Sequence, residues 1–261
     1  MNLFAEEKII SDNYFEFQVL TSKGTKKTIR REPYFYRHLI HKKIISRIFQ
    51  RFSSKKIRIT IFNLIQKMGF LPERSYKIID VSCGYDDLLI ELAQKFRNSE
   101  VIGNDICDKQ LLSFPRKTEI NNITLTKRNI LSGEFCENEN YDLIICKNTL
   151  HHLSKSDQLT ILKKLVRAGK NVIIVEIENP LKYSFCSYIW NFYYRKFLKD
   201  DGLNFLSRDK FINLIISAEI DFPFVNFIHT SLKTIKGNYL FTFIRTYKTQ
   251  NIKQPYLGET N

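Results

Sequence analysis

The 261-residue sequence predicts an α/β fold: a seven-stranded, mostly parallel sheet with an antiparallel C-terminal strand and helices on both faces. Two observations carry this expectation. From residue 76 onward, short β-branched runs alternate with segments of helical spacing, as βαβ units require. The chain then ends in two strand-like runs, 224–231 and 238–247, joined by a loop short enough for antiparallel pairing.

Each element has its own signal. "YKIIDV" (76–81) reads as a strand buried on both faces, and "LLIELAQKF" (88–96) as a helix through Leu89, Leu92, Ala93 and Phe96. "EVIGND" (100–105), "ITLTKRNI" (123–130) and "YDLIICKN" (141–148) are the next strands. A helix over 154–170 begins with Ser154 and Asp157 as a capping box and stops at Gly169. "NVIIVEI" (171–177) is the fifth strand, closed by Asn179-Pro180, and 207–218 reads as a helix. Ahead of the sheet, 38–52 and 57–69 read as two basic amphipathic helices placed to form a lid. The expected organisation is a basic helical lid over 1–75, a main domain over 76–247 with an aromatic insertion at 181–206, and a tail over 248–261.

Composition narrows the class. Hydrophobic residues make up 43% and charged residues 26%, as in a globular chain. No run of 18 apolar residues occurs and "MNLFAEEKII" lacks a signal-peptide pattern, so a cytoplasmic protein is expected. Five cysteines form no CxxC pair, which reads as reduced thiols with no disulfide frame and no metal site. Net charge is +14, and residues 1–76 hold 16 Lys and Arg against 6 Asp and Glu. Such a segment suits an anionic substrate, a nucleic acid or a membrane surface, or is a solvated basic face.

In an open α/β sheet, ligands bind beyond the carboxyl ends of the strands. Here the first strand ends in Asp80 and the turn Ser82-Cys83-Gly84. The second ends in Asp105, whose carboxylate can accept both hydroxyls of a ribose. Asn129 ends the third and can pair with an adenine edge; Cys146, Lys147 and Asn148 end the fourth, followed by "TLHHL". Neither G-x-G-x-x-G nor G-x-x-x-x-G-K-[ST] is present, which excludes the usual dinucleotide and P-loop turns.

This ordered set resembles the class I, Rossmann-like S-adenosylmethionine (SAM)-dependent methyltransferases over roughly 76–247. Their D-x-G-x-G-x-G motif stands here as Asp80-Val81-Ser82-Cys83-Gly84-Tyr85-Asp86, with only the middle glycine kept. Their acidic ribose ligand matches Asp105, the adenine-reading residue Asn129, and the fourth motif "YDLIICKNTLHHL". The resemblance implies SAM as cofactor, with Asp80, Ser82, Cys83, Gly84, Asp105, Ile106, Asn129, Ile130, Cys146 and Lys147 around it. Asp86 is expected to cap the following helix.

Methyl transfer needs alignment and, for a hydroxyl or ammonium acceptor, a base. His151 is the candidate base and His152 a weaker one. Residues 181–202 hold eight aromatics between Tyr183 and Phe197, and with "REPYFYRHLIH" (31–41) they are expected to line the acceptor site. Tyr34, Tyr36, Arg37, His38, Tyr183 and Tyr188 are the candidate substrate contacts. A small-molecule acceptor, methylated on O or N, is the main expectation. RNA or protein methylation is favoured by the basic segment and disfavoured by the missing N-P-P-Y motif. A non-catalytic subunit and a peripheral-membrane lipid methylase are the remaining alternatives.

Overall fold

The computed structural model describes residues 7–11, 14–20, 26–31, 44–84, 87–106, 111, 120–133, 135–136, 139–179, 204–219, 224–234 and 237–246, the side chains from residue 54 onward except those of 219 and 224–228. The described strands are β1 (Glu7–Ser11), β2 (Tyr14–Leu20), β3 (Lys26–Arg31), β4 (Lys77–Asp80), β5 (Glu100–Asn104), β6 (Ile123–Thr126), β7 (Leu143–Lys147), β8 (Asn171–Ile177), β9 (Phe224–Thr234) and β10 (Gly237–Thr246). The described helices are α1 (Ile44–Lys67), α2 (Leu88–Lys95), α3 (Lys155–Ala168) and α4 (Arg208–Glu219), with a 3-10 turn at Leu150–His152.

Seven strands form one sheet in the order β6-β5-β4-β7-β8-β10-β9. The pairs β4–β5, β5–β6, β4–β7 and β7–β8 are parallel, and β10 runs antiparallel to β8 and β9. The chain builds outward from β4 through β5 and β6, then returns to β4's other side with β7. That reversal places the ligand crevice at the carboxyl ends of β4 and β7.

Strands β7 and β8 are apolar on both sides because both faces of the sheet are covered. On one face Ile78, Leu143, Ile145 and Val175 pack with Leu88, Leu89 and Leu92 of α2 and with Ile57, Ile61, Leu64 and Ile65 of α1. On the other, Ile79, Ile144, Ile174 and Leu240 pack with Ile161 and Leu165 of α3 and Phe211 and Ile215 of α4. Alternation along each strand decides which layer a residue joins. Ser154 caps α3, its hydroxyl accepting from the Asp157 N–H at 3.2 Å, and Gly169 follows its end, as expected.

The N-terminal region departs from the expectation in two ways. The helices expected at 38–52 and 57–69 form one continuous helix, α1, because "SSKK" between them holds neither Pro nor Gly to stop it. From Ile57 onward this helix is a wall of the core rather than a lid, and Arg58, only 6% exposed, is held by Asp87 (3.5 Å) and Glu91 (3.0 Å). Before it, β1, β2 and β3 form a three-stranded antiparallel sheet in a segment expected to be helical. The alternation in "YFEFQVL" is the period-two signal that marks it.

At the opposite edge, His229 of β9 lies in register with Thr242 of β10, near Phe211 at 5.7 Å. Both ring nitrogens of His229 and the Thr242 hydroxyl are buried without a hydrogen-bond partner among the described residues. Burial first, and the Arg208 charge second, lower the His229 pKa from its ordinary 6.5, with Glu178 opposing. The folded state therefore binds this proton less readily than the unfolded state. Its contribution to stability is full above about 6.5 and is lost as pH falls through the depressed folded value. His229→Leu is expected to flatten that decline in urea-unfolding midpoints between pH 7 and pH 5; an unchanged profile counts against the assignment.

Candidate active site

The turn after β4 is held by its neighbours rather than by its own glycines. Asp80 is fully buried at the strand end. Beyond it the Val81 N–H donates to the Ile145 carbonyl at 2.9 Å and the Cys83 N–H to the Asn104 carbonyl at 3.0 Å. Gly84 has φ +57°, the left-handed region that glycine enters without a Cβ penalty. Its N–H donates to Asp105 Oδ2 at 2.9 Å. Asp105 is 3% exposed, so this carboxylate is fixed against the turn at the carboxyl ends of β4 and β5.

Asn104, which the sequence reading passed over, ties three strand ends together. Its amide donates to the carbonyls of Val81 (3.2 Å) and Arg128 (3.1 Å), and its oxygen accepts from Thr126 Oγ1 and the Arg128 N–H at 3.0 Å each. Gly103 before it brings α2 close to the sheet: a Cβ there would lie 2.4 Å from Leu89 Cδ2 and 3.1 Å from Cys83 Sγ.

The candidate cofactor residues divide by accessibility. Ser82, Ile106, Asn129 and Ile130 are half-buried. Asn129 Oδ1 accepts from the Leu131 N–H at 2.9 Å, so the side chain's remaining hydrogen-bonding capacity is its amide N–H groups. The side chains of Cys83 and Cys146 are core, so either meets a ligand only through its backbone. Burial first, then the Asp80 and Asp105 charges, push the Cys83 thiol far up, while Lys147 opposes them; the three charges converge on this turn. Lys147 is only 7% exposed and lies two residues beyond Ile145, Asp80's partner in register, on the same face of the sheet.

Asp87, the residue before α2, makes no side-chain cap and pairs with Arg58 instead. Tyr85 and Asp86 lie outside the described residues, as do Tyr34, Tyr36, Arg37, His38, Tyr183 and Tyr188. Cys83, Cys136 and Cys146 are free buried thiols, and among the described residues no group of three or more His, Cys, Asp or Glu is placed to hold a metal. No helix among the described residues is long and apolar enough to cross a membrane.

Beyond β7 the chain turns at Asn148 into the 3-10 turn that carries both histidines. Glu176, near the end of β8 and fully buried, organises it. One carboxylate oxygen accepts from the N–H groups of Thr149 (3.2 Å) and Leu150 (2.8 Å). The other meets His151 Nδ1 at 2.5 Å and the Ile177 N–H at 3.0 Å. A carboxylate only accepts, so Nδ1 carries the hydrogen and Nε2 is the basic nitrogen of the neutral ring. His151 is 3% exposed and stacks on Phe205, with centroids 5.0 Å apart and planes 8° apart. His152 is half-buried, its ring 4.0 Å from that of His151. Sequence reading missed Glu176; the signal was an acid inside the β-branched run "NVIIVEI", where a charge is rarely buried without a partner.

The parallel sheet with its antiparallel β10, and the acidic and glycine-bearing turns at its carboxyl edge, define a Rossmann-like methyltransferase fold. Residues 78–171 match the family model described as "Methyltransferase domain". Over these residues the chain carries a methyltransferase domain, and solved structures that share its fold hold SAM or SAH. An uncharacterised protein of Rickettsia prowazekii is 24% identical over 209 residues, covering 73% of this chain and 76% of its own. N-methyltransferase 4 of Papaver somniferum is 29% identical over 91 residues, 34% of this chain and 25% of that protein. Among solved structures, magnesium protoporphyrin IX methyltransferase from Synechocystis PCC 6803 with bound S-adenosylhomocysteine (SAH) superposes with TM-score 0.57 at 14% identity, covering 78% and 89% of the two chains. An N-methyltransferase from Bradyrhizobium japonicum WM9 in complex with SAH gives TM-score 0.53 at 12% identity, covering 74% and 87%.

Proposed function

We infer that the protein methylates an oxygen or nitrogen atom of a small-molecule acceptor, with His151 as the proton acceptor and Glu176 as its positioning residue. The observation that carries this is the buried Glu176–His151 pair at the same sheet edge as the Asp80–Gly84 turn. The residues present fit SAM. Asp105 is a fixed carboxylate for two ribose hydroxyls, Asn129 has amide donors suited to an adenine edge, and Asn148 Oδ1 is a buried acceptor with no partner among the described residues. When bound, SAM supplies a methyl group already activated on a sulfonium.

The chain's own task is then to align the acceptor and take its proton. Nε2 of His151 receives it, and the imidazolium so formed is stabilised by the Glu176 carboxylate on Nδ1. Stacking on Phe205 and the bond from the Asn204 N–H to the His151 carbonyl (3.1 Å) hold the ring and backbone in place. The aromatic segment 181–206 and the N-terminal segment are the proposed walls of the acceptor pocket, on their composition. A small acceptor is supported by the absence of N-P-P-Y after β7 and by the small-molecule enzymes among the similar folds.

His151→Ala is expected to lower single-turnover transfer by about 10²–10⁴-fold, the usual worth of a positioned base. SAH affinity, read by calorimetry, should stay within about threefold. An unchanged transfer rate removes His151 as the base. A second reading, methylation of RNA or protein, is favoured by the excess of basic residues in 1–76. Part of that charge is already used within the fold, since Arg58 is buried against Asp87 and Glu91. Absence of binding to generic RNA at low salt removes the RNA option.

A further inference from the structure

Gln158 occupies a place that packing alone would give to an apolar residue. It lies on the buried stripe of α3 with Ile161, Leu162 and Leu165, and is only 1% exposed. A buried amide costs free energy unless its hydrogen bonds are made, and here they reach outside the helix. Nε2 donates to the carbonyls of Leu150 at 2.8 Å and Asn204 at 3.0 Å. The Leu150 carbonyl already accepts from the Leu153 N–H at 3.0 Å, so the 3-10 turn does not need this second bond to satisfy its backbone. What the amide adds is a tie between the histidine turn and a residue far along the chain.

Asn204 is the hub of that tie. Besides accepting from Gln158, it donates its N–H to the His151 carbonyl at 3.1 Å and its Nδ2 to the Leu153 carbonyl at 2.8 Å. Leu206, two residues on, pairs with Glu178 in a single β-bridge and accepts from the Asn179 N–H at 2.9 Å. Phe205 is held between these two fixed points, with its ring stacked on His151 at an interplanar angle of 8°. The χ2 torsion of a histidine is soft, and the single contact of Nδ1 with Glu176 restrains it only within the breadth of that bond. A stacked phenyl restrains the plane of the ring, and with it the direction in which Nε2 points. His152 also touches the ring, but at a tilt of 40° it does not set that plane. Direction matters because a base contributes to transfer only when aligned with the proton it takes.

We propose that Gln158 is a positioning residue for His151: through Asn204 it holds Phe205 against the imidazole and so fixes the direction of Nε2. The proposal rests on the reading of His151 as the proton acceptor. The test is a set of proton–carbon and two-bond proton–nitrogen spectra of the whole chain labelled at its five histidines, with the His151 signals identified by their loss in His151→Ala. In the wild type the Phe205 ring shifts the carbon-bound ring protons of His151 upfield, and Nδ1 carries the hydrogen. Gln158→Met, which fills the same space without a donor, loses most of that upfield shift while Nδ1 stays protonated, because Glu176 is untouched. Asn204→Ala, which gives up only the side-chain bond to Leu153, moves the same signals in the same direction by less. Unchanged shifts in Gln158→Met overturn the proposal. So does loss of the Nδ1 hydrogen together with the shift, which marks Gln158 as general support for the turn. If Gln158→Met does not fold, Asn204→Ala decides by the same two readings. These spectra involve no acceptor, so failure of His151 as the base shows separately, in the transfer rate of His151→Ala.

Discussion

Asp105→Ala weakens SAH binding by one to two orders of magnitude. Two losses combine. The ribose hydroxyls lose a charged acceptor worth about 1.5–3 kcal/mol, and each 1.4 kcal/mol is tenfold in affinity. The Gly84 N–H, now bonded to Oδ2 at 2.9 Å, is released, so the turn proposed to hold the cofactor loses its anchor. Asp105→Asn separates the two effects, because an amide oxygen can still accept from Gly84 but carries no charge. It is expected to fall between wild type and alanine in calorimetry. Affinity unchanged in both variants would place the ribose elsewhere.

Glu176→Ala removes at least about 3 kcal/mol of stability. The carboxylate satisfies the backbone N–H groups of Thr149, Leu150 and Ile177 as well as His151 Nδ1, all in a fully buried place. Each buried donor left without a partner costs about 1–3 kcal/mol, and water fills such a gap only partly. Glu176→Gln keeps the shape but turns an NH₂ toward one set of donors, for an expected loss of about 1–3 kcal/mol. Urea-unfolding midpoints measure both. The glutamine variant should also lose methyl transfer beyond its stability loss, since an amide cannot balance an imidazolium at His151. A glutamine variant as stable and as active as wild type would make Glu176 incidental to the turn.

Much of the site was readable because its residues end strands whose signals are strong. β4, β5, β7 and β8 are short β-branched runs, and a residue that follows such a run must lie at the sheet edge. That logic located Asp80, Gly84, Asp105 and the His151–His152 turn. It could not find Asn104, whose four hydrogen bonds join three strand ends far apart in sequence. It placed Asn148 at the end of β7 but could not show its positive φ or its buried Oδ1, neither of which leaves a local pattern. It also placed Cys83 and Cys146 beside the cofactor by position alone, whereas their side chains point into the core.

The N-terminal segment shows the opposite failure. Helical spacing in 38–52 and 57–69 was strong, but amphipathicity reports only that a face is covered, not what covers it. In the folded chain the covering surface is the sheet itself, so α1 from Ile57 onward joins the core with α2. Periodicity and strand-end position thus determined the fold class, the sheet edge and the place of Asp105 on it, because both act over a few neighbouring residues. The tertiary structure alone decided the Glu176 clasp on His151 and the Asn104 clamp. Each depends on hydrogen bonds between residues far apart in the chain or in a separate strand, and only the order of strands in the sheet brings those partners together.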